Sequence, residues 1–129
     1  AQTDHAAFAK RTLITMKQSI RSFVKRVDFI SGPGYLDGPG ARKRKGLRGG
    51  GPDKVITDLA VMGFDDIERR MRLEKTHPGV SVEQVVQNTG FDLLVSEDVE
   101  QTPIPTDEQI TLIRERVDPD GMLLEAKVL

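Results

Sequence analysis

The sequence predicts an α/β fold, made of short strands interleaved with short helices. Short apolar runs, β-branched or alternating, recur at 12–16, 54–64, 71–75 and 93–96. Two segments open with a helix-capping signature, one at Ser81 and one at Thr106. Between them and the N-terminal region lies a stretch, Ser31 to Pro52, with eight glycines and three prolines. Such a mixture is built by layering helices on a sheet, and the residues alone leave α/β and α+β both open.

Each element has its own local reason. TLITM at 12–16 is a β-branched run that reads as a buried strand. SFVKRVDFI at 22–30 alternates enough for a second strand or an extended segment. Ser31–Pro52 reads as a loop of about twenty residues, because glycine and proline disfavour helix and inner strand; loops of that length are usually functional or disordered. KVITDLAVMGF at 54–64 resumes the apolar pattern as one strand, and MRLEK at 71–75 pairs with it as a hairpin around FDDIERR. HPGV at 77–80 is a turn. Ser81 and Gln84 form a capping box, Val80 staples onto Val85, Val82, Val85 and Val86 make one apolar face, and Gly90 is the stop. LLVS at 93–96 is a further strand, and TPIP at 102–105 an extended linker. Thr106 and Gln109 repeat the capping box before a helix with Ile110, Ile113 and Val117 on one side, ending before Pro119.

Composition narrows the class. At 129 residues, residues 1–129 are expected to be a single domain or a domain fragment. With no tryptophan and 5% aromatics, the core must come from Val, Ile, Leu and Met. There is no cysteine, which excludes disulfides and thiolate metal sites and fits a cytoplasmic setting. No apolar run approaches the ~20 residues of a membrane span, and the N-terminus has no signal-peptide pattern. Net charge is −1, but residues 1–54 carry twelve Lys and Arg against four Asp and Glu, whereas residues 55–129 carry seven against sixteen. That asymmetry points to an anionic partner for the first part, or to attraction between the two parts.

The candidate site follows from RKRKGLRGGGPDK at 42–54. Arg42, Lys43, Arg44, Lys45 and Arg48 supply five positive charges within seven positions, and Gly49, Gly50 and Gly51 follow. Successive glycines let backbone N–H groups close around an anion, and Lys or Arg adds charge. The segment matches neither GxxxxGK[ST] nor GxGxxG after a strand, so a solvated surface loop is the competing reading. A pI of 6.2 and the lack of interleaved aromatics argue against nucleic acid as the main ligand. His5 and His77 have no metal-ligand spacing, and His77 before Pro-Gly reads as a turn or packing residue. Asp65–Asp66 and Glu97–Asp98 read as solvated charge. No GxSxG is present, so no catalytic or metal-binding residue is expected from the residues alone.

The order of segments adds more. KRTLITM, VKRVDFISGPGYLDG, GGGPDKVITDLAVMGFD, MRLEKTHPGVSVEQVVQNTGFDLLVSEDV and PTDEQITLIRERVDPDG follow one another over roughly residues 8 to 121. This series resembles the C-terminal half of the β subunit of family I CoA-transferases, nearest to the glutaconate branch. The resemblance implies part of an open α/β/α sheet and a partner α subunit in a hetero- or homo-oligomer. It implies acyl-CoA and carboxylate as substrates, with coenzyme A a substrate rather than a cofactor, and neither nucleic acid nor membrane as partner. In that family a glutamate attacks the thioester to give a mixed anhydride. The released CoA thiolate then forms a glutamyl-CoA thioester, and a second carboxylate completes the exchange. The family's glutamate lies in an ExGxxG-type motif. Glu68, Glu74, Glu83, Glu97, Glu100, Glu108, Glu115 and Glu125 all lack glycine two residues on, so the nucleophile is expected outside this chain. The chain is accordingly expected to be a fragment, a proteolytic product or a naturally split subunit. The resemblance places the Gly-rich excursion after DFISGPGYLDG within the family pattern, which makes residues 42–45 and 48–51 candidates for the phosphates of CoA. A glutamate-less hydrolase of CoA thioesters or rings is the alternative enzyme, and a stand-alone anion- or subunit-binding module the non-enzymatic one.

Overall fold

The computed structural model describes residues 2–122. Five strands form one mixed sheet in chain order: β1 (Thr12–Thr15), β2 (Pro52–Ile56), β3 (Ala60–Phe64), β4 (Met71–Thr76) and β5 (Leu94–Gln101). β2, β3 and β4 are an antiparallel meander, and β1 and β5 flank it, each parallel to its neighbour. Parallel neighbours need a long crossover. The β1–β2 crossover carries the Gly-rich stretch, and the β4–β5 crossover carries a helix. The helices are α1 (Gln2–Phe8), α2 (Ala41–Arg44), α3 (Val82–Gln87) and α4 (Asp107–Leu112), the last continuing into a π-helical turn at Ile113–Val117.

The core lies on one face of the sheet. Ile14 pairs with Val55, Val55 with Met62 and Met62 with Leu73, so a row of apolar side chains crosses four strands. Phe23, Ala60, Val85 and Leu93 close over that row. Met62, Leu73 and Val85 are fully buried. Each such side chain stabilises the fold by about 1.5–3 kcal/mol relative to exposure. Both capping boxes are present, Ser81 with Gln84 and Thr106 with Gln109.

Several expectations change. TLIT is an edge strand with alternating exposure, since among the described residues β1 has a neighbour only in β2. The single strand expected at 54–64 is a hairpin. Thr57 Oγ1 accepts the N–H groups of Leu59 and Ala60, at 3.1 and 2.9 Å, and turns the chain. Thr57 and Asp58 also hold Gln18, a nearly buried residue whose side-chain nitrogen reaches Thr89 at 3.0 Å and the Val85 carbonyl at 3.3 Å. Residues 22–30 form no strand, only a single bridge from Val24 to Gly90. Gly90 is therefore a close-approach residue and not the helix stop. A Cβ there would lie 2.6 Å from the Phe23 carbonyl oxygen, and α3 ends at Gln87 with Asn88 as its C-cap. Val86 is 42% exposed and leaves the apolar face to Val82 and Val85. The stretch 31–52 contains the one-turn helix α2, and Pro52 already belongs to β2.

Candidate functional site

Arg42 governs the geometry of the Gly-rich stretch. It is only 7% exposed. Its Nε donates to the Gly49 carbonyl at 3.0 Å, Nη1 to Gly34 at 2.6 Å, and Nη2 to Ala6 and Ala7 at 2.9 and 3.0 Å. One guanidinium thus ties three chain segments together, using the planar donor fork that lysine lacks. Four of its five N–H donors face backbone carbonyls, so Arg42 acts as a structural clamp on this stretch.

Gly49 and Gly50 are placed by the same logic. Their N–H groups donate to the carbonyls of Ala7 and Lys10, at 3.2 and 3.3 Å, and a Cβ on Gly50 would lie 2.6 Å from the Lys10 oxygen. These amides stitch the stretch to the end of α1 and do not form the open N–H cradle expected of them. Gly51 has φ 87°, and its carbonyl accepts the Thr12 N–H at 3.2 Å, which sets β2 beside β1.

The remaining basic residues face solvent. Lys43, Arg44, Lys45 and Arg48 are exposed. Arg44 Nη1 reaches the Pro39 carbonyl at 3.1 Å. Arg42, Lys43, Arg48, Gly49 and Gly50 line an open cleft of about 770 Å³ together with Tyr35, Leu47 and Arg69; Arg44, Lys45 and Gly51 do not line it. Arg69 comes from the turn between β3 and β4, and sequence reasoning missed it, because nothing in FDDIERR marks a residue that meets the distant Gly-rich stretch. Its guanidinium lies 5.4 Å from the centre of the Tyr35 ring and 3.0 Å from Asp66. Tyr35 is fixed by donating its hydroxyl to the Pro52 carbonyl and by an edge contact with Phe64 at 5.1 Å. Burial pushes the Tyr35 phenol above its ordinary value, so it stays neutral at pH 7.

The other candidates are structural. His77 Nε2 lies 2.9 Å from the Thr57 carbonyl, to which it donates, and this leaves Nδ1 to accept from the Thr102 hydroxyl at 2.9 Å. Asp65 accepts the N–H groups of Ile67, Glu68 and Arg70 at 2.9, 2.8 and 2.6 Å and organises the β3–β4 turn. Glu74 pairs with Lys54 and lies 3.8 Å from Arg72, over Gly63 on the sheet face away from the core. Glu125 lies outside the described residues. Among the described residues, no cluster of His, Asp or Glu could hold a metal ion, and no helix is long and apolar enough to cross a membrane.

The coenzyme A transferase family model matches residues 4–88, and the chain belongs to that family. The β subunit of glutaconate CoA-transferase from Acidaminococcus fermentans is 45% identical over 116 residues, which are 88% of this chain and 43% of that protein. The crystal structure of glutaconate coenzyme A-transferase from the same organism superposes with a TM-score of 0.85 at 38% identity, covering 97% of this chain and 48% of that one. The β subunit of 3-oxoadipate CoA-transferase from Pseudomonas knackmussii is 39% identical over 84% of this chain and 42% of that protein. The cholesterol ring-cleaving hydrolase IpdB subunit of Rhodococcus jostii is 35% identical over 82% of this chain and 41% of that protein. The chain thus spans less than half the length of the relatives it matches.

Proposed function

We propose that this chain is the C-terminal part of the β subunit of an acyl-CoA:carboxylate CoA-transferase, working with an α subunit in the cytoplasm. The observation that carries this reading is the 45% identity to the glutaconate CoA-transferase β subunit over 88% of the chain. Acyl-CoA and a carboxylate are the substrates, and coenzyme A is carried on a glutamate outside these 129 residues. The chain supplies sheet, helices and the basic stretch. Within that stretch Lys43, Arg44, Lys45 and Arg48 are the residues whose exposed charge suits the phosphates of CoA.

The experiment is to incubate the complete subunit and its partner with an acyl-CoA and follow the mass of the subunit. A transferase accumulates a covalent CoA adduct on one glutamate, and adding a carboxylate discharges it. A protein that hydrolyses the acyl-CoA without any adduct, at the thioester or in a ring of the acyl part, supports the second reading, a hydrolase, which the 35% identity to the ring-cleaving hydrolase subunit favours.

A further inference from the structure

The cleft beside the Gly-rich stretch has two walls, and they come from different parts of the chain. One wall carries Lys43 and Arg48. Arg42 also lines the cleft, and it holds that wall in place through its four bonds to carbonyls. The other wall is Arg69, at the end of the β3–β4 turn. Arg69 sits in the left-handed backbone region, with φ 61°. A non-glycine residue there is strained by about 1–3 kcal/mol and persists only when its surroundings impose it. The Asp65 carboxylate imposes it here by gathering the N–H groups on either side of Arg69. The walls also touch at Gly38, where a Cβ would meet the Glu68 carbonyl oxygen at 3.6 Å.

The Arg69 guanidinium is oriented before any ligand arrives. It lies against the Tyr35 ring at 5.4 Å, and its pairing partner Asp66 is 92% exposed. An ion pair that open contributes at most about 1 kcal/mol, so a stronger anion displaces it. A guanidinium backed by an aromatic face presents a flat donor fork to an incoming oxyanion, whereas a lysine is a mobile point charge. The cleft volume of about 770 Å³ falls within the range of small-molecule sites, roughly 300–1,000 Å³.

We propose that this cleft binds the phosphates of the nucleotide end of coenzyme A. Arg69 is the oriented phosphate ligand, Lys43 and Arg48 supply opposing charge, and Arg42 is a positioning residue. The inference rests on the CoA-dependent reading above, and its test separates the two. Binding of 3′,5′-ADP and of 5′-ADP to the complete enzyme is measured by calorimetry, for the wild type, Arg69→Asn and Arg48→Ser. Asparagine removes the charge while tolerating the left-handed backbone.

Arg69→Asn is expected to weaken binding of at least one nucleotide by about ten-fold or more. Arg48→Ser, an exposed change that leaves the turn intact, is expected to weaken the same nucleotide by a few-fold, roughly. Loss confined to 3′,5′-ADP assigns the cleft to the 3′-phosphate; loss shared with 5′-ADP assigns it to the pyrophosphate. Unchanged affinity for both nucleotides in both variants overturns the cleft proposal, even with CoA transfer intact. Arg69-dependent nucleotide binding in an enzyme that transfers no CoA upholds the cleft and overturns the transferase reading.

Discussion

Removing the Arg42 guanidinium takes the side-chain donor from the carbonyls of Ala6, Gly34 and Gly49, on three chain segments, and leaves the Ala7 carbonyl to the Gly49 N–H alone. Acceptors shielded from water and without partners are costly. Arg42→Met in the complete subunit is expected to lower stability by about 3 kcal/mol, measured by chemical unfolding. Arg42→Lys rescues little, because a single ammonium cannot span the four acceptors. A result within the scatter of surface substitutions shows that the clamp is not what holds the stretch. Residue chemistry also explains why the basic run divides. Its first member faces inward and its next three face water, although all four carry the same charge.

Among the elements, α3 and the β3–β4 turn make separate demands. The α3 helix is six residues long, too short to hold itself by backbone bonds alone, so its capping box and Val85 carry it. Ser81→Ala removes the acceptor for the Gln84 N–H and is expected to cost about 1 kcal/mol, read from the unfolding midpoint. The β3–β4 turn depends on a charge. The N–H of Glu68, the largest influence, with those of Arg70 and Ile67 and the nearby Arg72 guanidinium, holds the Asp65 carboxyl below its ordinary value, against desolvation in the other direction. A carboxylate whose folded value is depressed adds stability that is fully present above its unfolded value, near pH 4, and lost as pH falls through the folded one. Asp65→Asn is therefore expected to lower stability at neutral pH and to flatten the loss of stability as pH falls below the ordinary carboxylate range, near pH 4. Unfolding midpoints across that fall in pH check it, and parallel curves for variant and wild type overturn it.

Charge is distributed across the whole molecule in a way the net value of −1 conceals. The acidic second part pairs a few of its charges internally, among them Arg70 with Asp92 and Lys75 with Glu100. Lys54 with Glu74 joins the two parts. Of the exposed basic residues at 43–45 and 48, Lys43 and Arg48 line the cleft. If that cleft meets CoA phosphates, the KM for acyl-CoA in the complete enzyme rises with ionic strength, and the dependence is shallower in Lys43→Ser with Arg48→Ser. Equal salt dependence in both enzymes overturns a phosphate role for these two residues.

Local signals determined much of this protein without any tertiary information. The two capping boxes and the turn at His77 rest on contacts within a few residues, so the sequence displays their causes directly. The order of segments likewise carried the family. What only the tertiary structure decided involves partners far apart in the chain. The Thr57 hydroxyl turned one expected strand into two, and Gly90 was reserved for the approach of Phe23. Arg42 was turned inward onto Ala6 and Gly34, and Arg69 was brought to the cleft from the turn opposite. A guanidinium has the same charge and propensity whether it meets a carbonyl or a phosphate. Which of the two it meets is set by the backbone that folds around it, and that backbone is assembled by non-local packing.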